Sequence, residues 1–337
     1  MNSKHLLLAS AAILSLAACN KTVTEPVQSQ FPEDGVMRFT TNLVDPTIAT
    51  TRASITGSDV NQNGQQFQVK IVNPTSATYS YFNTVQFDGT EWTPVNRMLW
   101  QNDQQNITVT AAYKQGKAFS DYDFIVGANL TVAADQSTET KLKQQDLLTM
   151  PTKTIANPSI EETLMQNGKL VINFYHALTK LDVTLDLANE FYKVDPKLNN
   201  ASDITEFTIS GTNAGYQFNA METANENYGK VTVTASTPAD ILANQCTFTA
   251  ATDADMHSHA TFEAIVVPQT IAAGALTVSF KIGSRSFSWT NTEAITLEQG
   301  KHYTLPLTVG YDTTTLSAHA FSVRAWEDQP GDNLGTE

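Results

Sequence analysis

The chain has 337 residues and is 41% hydrophobic, enough for two apolar cores of ordinary size at ~100–200 residues per domain. Its 34 acidic and 20 basic side chains leave a formal charge of −14, which argues against nucleic acid or anionic lipid as a partner. Its only cysteines are Cys19 and Cys246, so no disulfide framework supports the fold.

Lys4 and His5 precede the apolar run Leu6 to Leu16, which ends in Ala17-Ala18-Cys19. A charged start, a short apolar stretch and small residues ahead of a cysteine form a lipoprotein export signal. Residues 1–18 are therefore expected to be removed and Cys19 to carry lipid. The run is well short of the ~20 residues that span a bilayer, so membrane contact is expected through Cys19 alone. With Cys19 acylated, Cys246 has no intrachain partner even in an oxidising compartment.

Residues 19–35 are polar, include Pro26 and Pro32, and read as a tether. From Val36 to Val44 the chain alternates: Met37, Phe39 and Leu43 share one face, while Arg38, Thr40 and Asn42 share the other. This is the first strand. Pro46 follows, then a polar stretch that contains the solitary Arg52 before Ala53. Period-two alternation continues at Phe67, Val69 and Ile71, and again at Leu181, Val183, Leu185 and Leu187. Asp88-Gly89, Asn167-Gly168 and Gly283-Ser284 sit between such runs and predict hairpin turns.

The best helical signal is Ser159 with Glu162 three residues on, a capping-box spacing that predicts one short turn. Many short strands without a long 3.6-period segment predict an all-β chain of antiparallel β-sandwiches. The polar, turn-rich stretch from Gln136 to Gln166 sets the expected boundary, giving sandwich domains at 36–165 and 166–337.

Few residues suggest chemistry. Asp253, Asp255, His257 and His259 fall on alternate positions, as a divalent-metal site could require. Without a third placed ligand they read instead as a polar hairpin loop, and no metal is expected. His176 has no nucleophile motif near it and reads as a packed histidine. Cys246 reads as a small buried apolar group. With no Walker loop, dinucleotide fingerprint or HExxH motif, neither an enzyme nor a cofactor is expected. Trp92, Trp100, Trp289 and Trp326 read as core, with an aromatic platform for a glycan as the alternative.

Three patches, in order, resemble the fimbrillin family of Bacteroidetes surface lipoproteins. The first runs from Tyr79-Ser80-Tyr81-Phe82 through Phe87-Asp88-Gly89-Thr90-Glu91-Trp92 to Trp100 and Ala111-Ala112-Tyr113. The second is Leu170 to Leu181 with its internal His176-Ala177-Leu178, and the third is Phe321 to Trp326. The resemblance implies two tandem transthyretin-like domains and a fimbrial subunit or tip protein at the outer membrane or cell surface, supporting adhesion. It further implies that an arginine-specific protease cuts between Arg52 and Ala53, removing the lipid and the strand carrying Met37, Phe39 and Leu43. Another fimbrial subunit would then fill the vacated groove. The expected donor is the C-terminal region, where His319, Phe321, Val323 and Ala325 alternate with Ala320, Ser322 and Arg324. The implied partners are other subunits, the protease and a surface receptor. The alternative reading is a monomeric, lipid-anchored glycan-binding protein that keeps its first strand.

Overall fold

In the computed structural model, which describes residues 31–44, 55–116, 125–160, 163–225, 228–234, 238–312 and 316–326, the alternating segments are strands. In chain order the first nine are Phe39–Leu43 (β1), Gln66–Val72 (β2), Tyr81–Phe87 (β3), Trp92–Pro94 (β4), Ile107–Lys114 (β5), Val126–Thr131 (β6), Leu147–Ile155 (β7), Met165–Gln166 (β8) and Lys169–His176 (β9). There follow Thr179–Leu187 (β10), Ile204–Asn213 (β11), Gly215–Asn225 (β12), Tyr228–Val233 (β13), Pro238–Leu242 (β14), Asn244–Thr249 (β15) and Ser258–Val266 (β16). The last are Gln269–Ile271 (β17), Thr277–Ile282 (β18), Arg285–Thr290 (β19), Ile295–Leu297 (β20), Lys301–Val309 (β21), Ser317–Ala318 (β22) and Ser322–Ala325 (β23). Helical segments are single turns such as Gly57–Val60 (α1) and Glu139–Lys143 (α2). The protein is an all-β chain of several sheets.

The hairpin signals have the geometry their residues favour. Gln166 pairs with Lys169 across Asn167-Gly168, where both turn residues have positive φ, as a type I′ turn requires. Ile282 pairs with Arg285 across Gly283-Ser284. At Ser159 the chain makes a turn in which the Ile160 amide donates to the Asn157 carbonyl; Glu162 lies outside the described residues.

The first sheet has the order β1-β4-β3-β2-β5-β7-β9-β8, and β1 pairs additionally with β9. That second pairing closes the sheet on itself and leaves only β8 outside the ring. Its interior is one apolar cluster that runs from Met37 and Phe39 to Ile172 and Phe174. A second cluster, centred on Leu181, Phe207, Phe262, Phe280 and Leu305, fills the space between the sheet β15-β16-β10-β21 and the sheet β14-β11-β18-β19.

Among the described residues the first cluster takes none beyond Phe174, while the second takes Ala112, Ile125, Val132, Leu142 and Leu147 from earlier in the chain. Met165 in β8 and Leu170, Ile172 and Phe174 in β9 all face the first cluster, because β9 is the strand against which β1 closes. The two halves also interlock: β6, from the first half of the chain, pairs with β12, and Leu147 and Leu148, adjacent on β7, belong to different clusters.

Alternation describes one face of β10 well, since Leu181, Val183, Leu185 and Leu187 all lie in the second core. The opposite face is not simply wet. At one end Lys180 meets Glu263 at 3.1 Å and Asp182 meets His302 at 2.8 Å, with all four side chains buried.

Candidate functional site

The strand that closes the first sheet is short and held from both sides. Phe39 stands opposite Trp92 of β4 in antiparallel register. On its other flank β1 runs parallel to β9, with Phe39 opposite Leu170 and Leu43 opposite Phe174. The Leu170 amide donates to the Arg38 carbonyl at 2.8 Å and the Val44 amide to the Phe174 carbonyl at 2.9 Å. The chain ahead of β1 is fastened too, by bonds from the Met37 amide to Met98 and from the Trp100 amide to Gly35.

Side chains do the rest. Met37 and Phe39 are each 1% exposed, and the Phe39 ring meets that of Phe67 edge-on at 6.0 Å, Phe67 in turn contacting Trp92 and Phe174. Leu43 is half-buried against the same cluster. Between Phe39 and Leu43, Thr41 donates its hydroxyl to Asn61 Oδ1 at 2.9 Å, and the Trp92 indole N–H donates to the same oxygen at 2.8 Å. A buried indole N–H needs such an acceptor. On the outer face Arg38 pairs with Asp34 at 2.6 Å, a hydrogen bond that holds the Asp34 carboxyl well below the usual carboxylate range.

What lies beyond β1 also has holds of its own. Ile55 is fully buried in the first core, Thr56 caps α1 through Asp59, and Asp59 meets Lys143 of α2 at 3.1 Å. Cys19, Arg52 and Ala53 lie outside the described residues, which resume with Ile55.

The C-terminal segment flanks the second core. β22 and β23 both pair with β21, and Val323 is 52% exposed. Trp326, in contrast, is buried and stacks on His176.

The polar candidates take ordinary structural roles. Asp253 accepts from the amides of Asp255 and Met256 in a turn. His257 and His259 both point Nδ1 at Asp186 Oδ1, at 2.7 and 3.6 Å; among the described residues no group of three such side chains could hold a metal ion. Asp186 is far away in sequence, so alternation within 253–259 gave no sign of it. Burial pushes the Cys246 thiol up to about 12, as befits an inert cysteine. Trp92, Trp100 and Trp326 are buried and Trp289 half-buried, which leaves no exposed tryptophan for a glycan platform.

A family model described as fimbrillin-like matches residues 51–326. The chain belongs to the fimbrillin-like family. Membership makes it a fimbrial or adhesion-related surface protein. No curated protein matches the chain, but solved structures do. A candidate cell adhesion protein of Bacteroides uniformis superposes with a TM-score of 0.55 at 17% identity, covering 88% of this chain and 99% of that one. A second candidate cell adhesion protein, from Bacteroides ovatus, gives 0.53 at 14% identity over 88% and 98%. At these identities the likeness is one of fold. A fimbrial protein of Bacteroides vulgatus matches at 13% identity and a TM-score of 0.48 over 86% and 99%.

Proposed function

We propose that this fimbrillin-like protein is a fimbrial subunit or fimbria-associated tip protein that assembles by strand exchange. One observation carries the reading: a single short strand near the N-terminus closes the first sheet between β4 and β9, and the chain that resumes at Ile55 has holds of its own in the first core and, through Asp59, on Lys143. Loss of β1 would open the flanks of β4 and β9 and uncover the floor formed by Phe67, Trp92 and Phe174. Unpaired strand edges over an apolar floor favour an extended segment from another chain. Met37, Phe39 and Leu43 represent roughly 5–9 kcal/mol of gross burial at ~1.5–3 kcal/mol each, before ordering entropy is subtracted.

In this reading the chain is exported as a lipoprotein on Cys19 and reaches the outer membrane closed. An arginine-specific protease cuts after Arg52, freeing lipid, tether and β1 together, while Ile55, Thr56 and Asp59 keep the new N-terminus in place. The halves, 36–165 and 166–337, act as tandem transthyretin-like sandwiches. The edge segment from His319 to Ala325, with Val323 exposed, is the donor to the next subunit's groove. The role is structural and adhesive rather than enzymatic, and a surface receptor is its outward partner.

The test is assembly in vitro. Mature chain treated with an arginine-specific protease should form ladders on gels that resist heating, and Arg52→Ala should abolish them. Ladders formed equally well by Arg52→Ala would defeat the reading.

A further inference from the structure

The first core and the C-terminal segment meet at one strand, β9. From Val171 to Phe174, the strand paired with β9 among the described residues is β1 alone. β8 reaches only as far as Leu170, and β7 joins only at Tyr175 and His176. Two side attachments supplement β1: the Val171 amide bonds to the Leu164 carbonyl, and the Asn173 amide meets Met150 Sδ at 3.3 Å.

His176 follows Phe174 by two residues. Its ring is buried, its Nδ1 lies 2.8 Å from Asp146 Oδ2, and it carries the Trp326 indole at a centroid distance of 4.3 Å with the planes 8° apart. Trp326 is 4% exposed and its amide donates to Gly300. The described side chains from Ser317 to Val323 are exposed or half-buried. The last strand is thus held by its ladder to β21, by Phe321, half-buried against the second core and edge-on to Trp289 at 6.3 Å, and at its far end by Trp326 seated on the end of β9.

We propose that Trp326 stacked on His176 is the catch that holds the C-terminal strand on its own chain, and that departure of β1 releases it through β9. The inference rests on the strand-exchange reading above and adds an order of events to it. While β1 is in place, Val171 to Phe174 are ordered and His176 presents a fixed platform between Asp146 and Trp326. Once β1 leaves, that stretch of β9 loses the one strand paired with it among the described residues, the platform loosens, and the indole loses its stacking partner. A subunit then offers its donor strand only after its own groove has opened. The uncut precursor keeps donor and acceptor masked together, and both become available with one cut.

Coupling of this kind is reciprocal and typically worth a factor of 5–150, so it can be read from either end without forming polymer. Hydrogen exchange on the full mature chain carrying Phe39→Ala should show peptides over residues 317–326 exchanging at least about fivefold faster than in the unmodified chain. Residues 36–44 should speed up as well. Faster exchange over 36–44 with none over 317–326 would overturn the proposal. Should Phe39→Ala not fold, Trp326→Ala supplies the reverse reading: exchange over residues 170–174 rises, whereas Val323→Ala, on the same strand but exposed, leaves it unchanged. Equal exchange over 170–174 in both variants would equally overturn it. Failure of ladders to form bears on strand exchange, and failure of these exchange changes bears on the catch, so the two can be told apart.

Discussion

The amide of Leu170 donates to the carbonyl of Arg38 across 131 residues of intervening chain, and that 2.8 Å bond marks the closure of the first sheet. Parallel pairing between a strand near the N-terminus and one that borders the second core makes β1 both the last member of one sheet and a support for the next.

Phe39→Ala tests how much closure depends on one ring. Truncation of a buried phenylalanine costs ~3–5 kcal/mol, and urea unfolding of the mature chain should show a loss of that size. A loss within about 0.5 kcal/mol, as at ordinary surface sites, would mean that β1 contributes little to the core.

Asn61→Ala removes the acceptor shared by Thr41 and Trp92. The indole N–H would then be buried without a partner, a cost of roughly 1–3 kcal/mol, and the hold on β1 should weaken with it. Thermal unfolding provides the stability change, and limited proteolysis of residues 36–44 shows whether the loss is felt at β1.

The sequence discloses the strands whose environment is set by their own alternation. Phe67, Val69 and Ile71 lie in one core and Leu181 to Leu187 in the other, and the turns at Asn167-Gly168 and Gly283-Ser284 follow from residues that accept positive φ. Closure of β1 on β9 could not be read in the same way. Parallel partners lie far apart in the chain and leave no mark on local periodicity, as with the parallel pairing of β10 and β21. Asp186 beneath His257 and His259, and His176 beneath Trp326, were hidden for the same reason. The expected boundary near residue 166 rests on polar composition, which reports exposure to water and not which sheet a strand joins. Alternation within β10 likewise does not disclose the buried pairs of Lys180 with Glu263 and Asp182 with His302, because those partners come from other strands.

Those buried ions make their own prediction. Lys180→Met should destabilise the chain by about 3–5 kcal/mol, because Glu263 is left buried as an uncompensated charge. Lys180→Met with Glu263→Met should recover most of that loss, since two well-packed apolar groups replace an ion pair at little net cost. Denaturant unfolding of the single and double variants measures the recovery.

Cys246 should resist alkylation while the chain is folded. Burial raises its folded-state pKa to about 12, against ~8.5 for a free thiol, so the native state favours the neutral form. Its contribution to stability is therefore fully present below about pH 8.5 and is lost as pH rises toward 12. Iodoacetamide at pH 8 should label Cys246 rapidly in denaturant and slowly without it, as intact mass will show.

The central claim, that β1 is a removable closing strand, is tested most directly by the N-terminus of the chain within surface-purified polymer. Mass spectrometry of that material should find subunits that begin at Ala53 and lack both lipid and residues 36–44. Polymer built only from subunits that begin at lipid-modified Cys19 would contradict the account.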